Sequence, residues 1–166
     1  MGYLGLLGRV AALDAPASAP LSFWDPAAQY AVVQGLVDRL RKKGVHIVIV
    51  LSHSGTDATG TAGEDVELAR HVTGIDVIAS GHTHTPLASA HTVVNRGWST
   101  QIIDAGVAGT NVSRIDLTYH PSTKTTTLDA SGNAATTTRA SPRSTQVRYP
   151  IRHSIRLWDS RTTSST

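Results

Sequence analysis

The chain has 166 residues, enough for one domain with a sizeable core. It contains no cysteine, which excludes disulfides and thiolate metal sites, and no apolar run approaches the roughly 20 residues of a membrane helix. Residues 1–130 hold nine Lys and Arg against eleven Asp and Glu, whereas residues 131–166 hold six Arg against one Asp. The basic character therefore belongs to the C-terminal segment, and nucleic-acid binding is disfavoured.

The first 44 residues predict a strand, a loop and a helix. Residues 2–7 are apolar and are typical of a strand, and a loop rich in Pro, Ala and Ser covers residues 11–24. Asp25 then provides an N-cap beside Pro26, and apolar residues recur at helical spacing up to Gly44, which favours a left-handed cap. The first seven residues lack the basic start and cleavage site of a signal peptide, so the localisation is left open.

The next segment predicts two buried strands separated by a helix. Residues 45–51 and 75–80 are apolar runs, as expected of central parallel strands. Between them, Thr61 and Glu64 have the spacing of a capping box, and the helix that they open ends at Gly74. Alternating strands and helices predict a parallel α/β sheet, in which sites lie at the carboxyl ends of the strands.

From residue 91 the pattern predicts antiparallel strands. Two short strands flank Arg96-Gly97, a hairpin turn, and alternating residues from 113 to 128 suggest a further pair, so that the region reads as a β meander. Beyond residue 130, fourteen of the last 36 residues are Ser or Thr and no apolar period persists, which predicts disorder. We expect a folded unit over residues 1–130 and a disordered tail over 131–166.

Histidines follow both buried strands. His53 comes directly after the first apolar run, and His82 and His84 follow the second within Gly-His-Thr-His. Neutral imidazole binds zinc, manganese and iron, and Gly81 would let the backbone bend sharply before the pair. These three residues are the predicted metal ligands, because parallel strands end at the same edge of a sheet.

The residues around these histidines resemble the calcineurin-like metallophosphoesterases, and most closely their 5′-nucleotidase and 2′,3′-cyclic-nucleotide phosphodiesterase branch. The resemblance rests on four segments and covers residues 2–129. They are residues 49–55, 64–69, 74–85 and 103–119. The resemblance implies half of an αββα sandwich, in which a parallel βαβαβ segment is followed by antiparallel strands.

The resemblance also implies a function. His53 and His82 would bind one divalent metal ion and His84 the other, with Mn, Zn, Fe, Mg or Ca as candidates. In the family, two ions about 3.5–4 Å apart hold a hydroxide that attacks phosphorus. The substrates would be nucleotides or other phosphoesters, neither nucleic acid nor a membrane is an expected partner, and members of this branch are commonly periplasmic or secreted.

The sequence departs from the family at its start. The family's Asp-x-His, Gly-Asp-x-x-Asp and Gly-Asn-His-Asp/Glu motifs lie upstream of the segment matched by residues 2–7, and none occurs in this chain. We therefore expect the C-terminal half of a catalytic domain, with no catalytic residue assigned and little or no activity alone. The alternatives are an inactive remnant that binds one metal weakly or none, and a separate chain that supplies the N-terminal half.

Other polar residues are further candidates for the site. Four aspartates could replace missing carboxylates: Asp57, Asp65, Asp76 and Asp104. Asp57 lies in the loop on the site side and is the only one of the four to test. Asp65 is explained as first-turn helix charge and Asp76 as a residue near a strand start. A serine-hydrolase site has little support, because neither Ser52 nor Ser54 lies in a Gly-x-Ser-x-Gly elbow. The remaining histidines are expected to be structural or on the surface: His46, His71, His91, His120 and His153.

Overall fold

The structure is a computed structural model that describes residues 1–15 and 17–129. The predicted disordered tail, residues 131–166, lies outside the described residues. The described residues contain three helices and seven strands. In chain order these are β1 (Gly2–Leu7), α1 (Arg9–Leu13), α2 (Pro26–Lys42), β2 (Val48–His53), α3 (Glu64–His71), β3 (Val77–Ser80), β4 (His91–Asn95), β5 (Trp98–Asp104), β6 (Leu117–His120) and β7 (Thr125–Leu128).

The main sheet has five strands in the order β1-β2-β3-β5-β4, and β6 and β7 form a separate antiparallel pair. β1, β2, β3 and β5 are mutually parallel, and β4 pairs antiparallel with β5 at the edge. In the register, Val50 is opposite Ile78, which is opposite Ile102. The predicted fold class, a parallel βαβαβ segment followed by antiparallel strands, is confirmed.

The meander predicted from residue 91 onward is correct only in part. Arg96 and Gly97 form the turn of the β4–β5 hairpin with φ angles of 48° and 79°, as the sequence predicts. However, β5 also pairs in parallel with β3 and so belongs to the main sheet. The reason is burial, because Ile102 is fully buried between the neighbouring strand and the helices.

Helix α2 begins and ends as the sequence predicts. The Asp25 carboxylate accepts a hydrogen bond from the Ala28 amide at 2.9 Å, with Pro26 in the first turn. Gly44, just beyond the helix, has a φ of 79°. The buried face of α2 contributes to one apolar cluster with α3 and with the strands. Its buried members are Val33, Val37, Val48, Val50, Val66, Leu68, Ala69, Val72, Ile75, Ile78, Leu87, Val93 and Ile102.

The predicted capping box of α3 is wrong. The N-cap is Gly63, which provides no side-chain hydrogen bond, and the amide of Thr61 donates instead to the Asp57 carboxylate at 2.8 Å. Glu64 turns away from its own helix because its carboxylate accepts hydrogen bonds from the amides of Arg9 and Val10, at 2.9 and 3.1 Å. These bonds satisfy two backbone amides in the first turn of α1. This short helix overlaps the start of the loop predicted from residue 11.

A closed polar cluster holds the amino-terminal end of the parallel strands. Asp76 is fully buried, and its carboxylate accepts hydrogen bonds from the Val48 amide at 2.7 Å and from the Thr126 hydroxyl at 2.8 Å. Arg41 completes the cluster with an ion pair to Asp76 at 2.5 Å, and its guanidinium lies over the ring of Trp98. The cluster ties α2, β2 and the β6–β7 pair together, and Asp76 directly precedes β3, near a strand start as the sequence predicts.

The two faces of β1 and β2 differ sharply. Even-numbered residues of β2 face the helices, whereas Tyr3, Leu7 and Leu51 on the other face are 53%, 48% and 53% exposed. A Cβ at Gly5 on that face would have no neighbour within 4 Å. We call this surface, formed by Tyr3, Gly5, Leu7 and Leu51, the open face. In residues 1–15 and 17–129, no helix has the length and apolarity to cross a membrane.

Candidate metal site

The structure brings His53 and His82 together at the carboxyl edge of the sheet. His53 is the last residue of β2, and His82 lies two residues beyond the end of β3. Their ring centroids are 5.0 Å apart, with the ring planes at 60°. Two imidazoles that bind one tetrahedral ion through nitrogens at about 2.0–2.1 Å have centroids about 5 Å apart. The spacing of this pair therefore fits a shared metal ion.

The turn that carries His82 and His84 has an unusual backbone. Both residues have positive φ angles, 80° and 58°, in a region that costs a residue with a Cβ roughly 1–2 kcal/mol. Gly81, which the sequence predicted to provide the bend, does not have a positive φ, and a Cβ there would lie 3.5 Å from the Ser52 carbonyl oxygen. The sharp bend is therefore made by the histidines themselves.

The two threonines that alternate with these histidines fix the turn. The hydroxyls of Thr83 and Thr85 both donate to the Thr56 carbonyl, at 2.8 and 2.9 Å. Thr56 is buried in the loop that follows β2, and Gly55 beside it has a φ of 96° where a Cβ would clash with Thr83. The loop after β2 and the turn after β3 are thus held as one unit.

Asp14 places a carboxylate near the pair. It follows helix α1, is largely exposed, and its Oδ2 lies 3.6 Å from Nε2 of His82. The two hydrogen bonds from α1 to Glu64 anchor this segment beside the site. Gly8 permits the close approach, because a Cβ there would clash with Glu64 and Ser54. The sequence pairs Glu64 with its own helix and does not single out Asp14, because the contacts that place these two residues at the site join positions more than 50 residues apart.

Asp104 ends β5 at the same edge of the sheet. It is 1% exposed, its Oδ1 accepts a hydrogen bond from the Gly106 amide at 2.7 Å, and its Oδ2 has no hydrogen-bond partner among the described residues. Burial raises the pKa of this carboxyl group, while the Gly106 bond and the charge of His84 oppose the rise. Asp104 is the one of the four aspartates considered above that has an unpaired buried oxygen at the site edge.

The structure gives the other candidate aspartates different roles. Asp57 holds its own loop through Thr59, Thr61 and Ala62, and these hydrogen bonds lower its pKa to about 2. Asp65 lies in the first turn of α3 as expected, but it is fully buried and accepts three hydrogen bonds. Asp76 lies at the opposite end of the sheet. No serine elbow appears at the site, and Ser52 donates to Asp65.

The donor set of the described residues is incomplete. His84 is exposed and lies beyond the His53–His82 pair, and within residues 1–15 and 17–129 no group of three or more His, Asp or Glu side chains is placed to hold a metal ion. Two of the predicted ligands are therefore together, and the complete ligand set of His53, His82 and His84 stays a prediction. His46 stacks on Tyr119 and His71 on Tyr30, which fits their expected structural roles.

Comparisons with known proteins give the fold and the sequence relatives. No protein-family model matches the chain. Over 75 residues, 45% of this chain, the sequence is 37% identical to the trifunctional nucleotide phosphoesterase protein YfkN of Bacillus subtilis (strain 168). That match covers 5% of the relative, so the chain spans a small part of its length.

Two solved structures are also similar. The NAD nucleotidase NadN of Haemophilus influenzae superposes with a TM-score of 0.63 at 18% identity, over 76% of this chain and 26% of that protein. The 5′-nucleotidase precursor of Thermus thermophilus superposes with a TM-score of 0.55 at 32% identity, over 70% of this chain and 23% of that protein. The first shows the fold, and the second adds similarity in sequence. Together these comparisons support a 5′-nucleotidase-like metallophosphoesterase family, with the chain similar to a C-terminal part of such proteins.

Proposed function

We propose that this chain contributes the C-terminal part of a metal-dependent nucleotide phosphoesterase site. His53 and His82 would bind one divalent ion, and His84 a second. The observation that carries this proposal is the 5.0 Å separation of the His53 and His82 rings at the carboxyl edge of the sheet. When bound, divalent ions neutralise phosphoryl oxygens and lower the pKa of water.

The positions of the residues suggest what each would do in the proposed metal site. His53 and His82 would orient one ion through neutral nitrogens, and the Thr83 and Thr85 hydroxyls would keep the turn rigid. Asp14, 3.6 Å from His82, would offset positive charge at the exposed side of the site. The substrates would be nucleoside monophosphates or cyclic nucleotides, by analogy with the nucleotide phosphoesterases that the chain resembles.

A complete site would need more donors than the described residues bring together. Two divalent cations carry four positive charges, and Asp14 and Asp104 would offset at most two of them, so further carboxylates would be needed. The open face supports this view, because apolar residues rarely stay exposed as a group and His53 belongs to the same face of β2. We propose that the remaining part of the domain packs there, on the same polypeptide or on a separate chain.

The second candidate function is a non-enzymatic polypeptide that binds one metal ion weakly or none. The incomplete donor set among the described residues favours it for the chain alone. The two candidates differ in what the chain does without a partner. We expect no hydrolysis of p-nitrophenyl phosphate or AMP by the isolated chain with Mn²⁺, and hydrolysis that depends on His82 would exclude the second candidate.

Metal binding tests the site directly. Titration calorimetry with Zn²⁺ should give a dissociation constant for the wild-type chain that weakens at least about tenfold in His53→Ala and in His82→Ala. His46→Ala is the matched control, because His46 stacks on Tyr119 at the other end of the sheet. Equal affinity in all four proteins, or no binding by any of them, would contradict the proposed ligands.

A further inference from the structure

Asp65 lies behind the candidate site, on the helix side of the sheet. It is the second residue of α3 and is fully buried. Its carboxylate accepts hydrogen bonds from the hydroxyls of Ser52 and Ser80, at 2.5 and 2.6 Å, and from the Gly55 amide at 3.1 Å. Ser52 directly precedes His53, and Ser80 lies two residues before His82. One buried side chain thus connects both strand ends that carry the paired histidines.

The backbone does not hold these strand ends together by itself. The pairing of β2 with β3 ends at Leu51 and Ala79, one residue before the two serines. Beyond that point β2 continues alongside β1 only, up to His53. The Asp65 carboxylate joins the two strands just beyond the point where their backbone pairing stops.

The alternation of side chains explains how Asp65 acts without touching the histidines. Ser52 and Ser80 have the same parity as the buried Val50 and Ile78 and face the helices, whereas His53 is exposed on the other side. Moving Ser52 would rotate the backbone of His53 directly, and moving Ser80 would shift His82 through Gly81. The carboxylate and the two hydroxyls therefore lie on the covered side of the strands, opposite His53.

A buried carboxylate is a costly way to join two strands. Burial raises the pKa of Asp65, and the hydrogen bonds from Ser52, Ser80 and Gly55 oppose that rise. An apolar side chain would fill the same space without a desolvation penalty. What an apolar side chain lacks is direction, because only an acceptor with two oxygens fixes both hydroxyls at hydrogen-bond distance.

We propose that Asp65 is a positioning residue, which sets the distance between His53 and His82 by holding Ser52 and Ser80. Its relevance to metal binding rests on the proposed function, but its effect on the two rings does not. Residues that hold metal ligands in place without touching the metal typically matter for metal affinity. Their removal weakens it by about 10- to 100-fold.

The test compares Asp65→Asn with Asp76→Asn in the full chain. Both residues are fully buried carboxylates with three partners, but Asp76 lies at the opposite end of the sheet. Both substitutions should lower the melting temperature. Only Asp65→Asn should weaken Zn²⁺ binding, by about tenfold or more, and should remove the proton–proton NOE between the His53 and His82 rings in the metal-free protein.

Three outcomes decide the proposal. Loss of the NOE in Asp65→Asn alone supports positioning even where the wild-type chain binds no Zn²⁺, a result that would refute only the proposed function. An unchanged NOE in Asp65→Asn overturns the positioning role. Equal effects of both substitutions on the NOE or on Zn²⁺ affinity also overturn it, since general destabilisation would then explain the result. If Asp65→Asn fails to fold, Ser80→Ala replaces it, because this variant removes one hydroxyl and keeps the carboxylate.

Discussion

The two faces of the main sheet show what is complete in this chain and what is not. On the helix side, α2 and α3 bury a continuous apolar cluster. The buried carboxylates of Asp65 and Asp76 both have hydrogen-bond partners. On the open face, Leu51 is half exposed beside His53, and the site edge keeps an unpaired Asp104 oxygen among the described residues. The helix side is built for stability, whereas the open face and its edge hold the residues with functional character.

The largest expected effect is on the free energy of unfolding, when one large side chain on each face of the sheet is shortened to alanine. Ile78→Ala on the helix side should lower the free energy of unfolding by about 2–5 kcal/mol, because the residue is fully buried and leaves a cavity. Leu51→Ala on the open face should change it by no more than about 0.5 kcal/mol. Urea unfolding of both variants measures the difference. A large loss in Leu51→Ala would mean that something already covers the open face, such as a second copy of the chain.

A smaller effect is expected at His84, where one substitution should raise the stability of the chain and weaken its metal binding. His84 has a φ of 58°, so His84→Gly should relieve strain and raise the free energy of unfolding by about 1 kcal/mol, while it weakens binding of a second metal ion. Lys124→Gly is the matched control, because Lys124 has a φ of 57° in the β6–β7 turn and lies outside the site. It should gain similar stability without any change in metal binding. Destabilisation by His84→Gly alone would show that the imidazole makes contacts that outweigh the strain.

The smallest expected effect concerns the loop beside the site. Hydrogen bonds lower the pKa of Asp57 to about 2, below the value of about 3.9 of an unfolded chain, so its contribution to stability is present above pH 4. This contribution is lost as the pH falls from about 4 to about 2. The melting temperature of Asp57→Asn should therefore lie below that of the wild type at neutral pH and converge with it near pH 2. A difference that persists at pH 2 would assign the effect to the lost side-chain geometry instead of the charge.

The sequence predicts those parts of the fold whose signals are local. Asp25 with Pro26 marks the start of α2, Arg96-Gly97 marks the β4–β5 turn, and apolar runs mark the parallel strands. In the same way, histidines after consecutive strands predict a site at one edge, and two of the three are found side by side. These features depend on a few neighbouring residues, so a single sequence is enough to predict them.

The features that the sequence could not predict depend on distant contacts. Thr61 and Glu64 have the spacing of a capping box, but Glu64 binds α1, some 55 residues away. Asp65 has the position of an ordinary helix-end charge, and only the folded arrangement of Ser52 and Ser80 reveals its buried role. Local patterns say where a helix begins, whereas long-range hydrogen bonds decide which partner a carboxylate takes.

The position of β1 at the end of the strand order has a practical consequence. Within the described residues it pairs with β2 alone, so the backbone amides and carbonyls along its outer side are available to a further strand. Residue 1 directly precedes this strand, so an affinity tag fused there would be attached next to the free edge. The size of the chain in solution is therefore best measured after any such tag has been cleaved off.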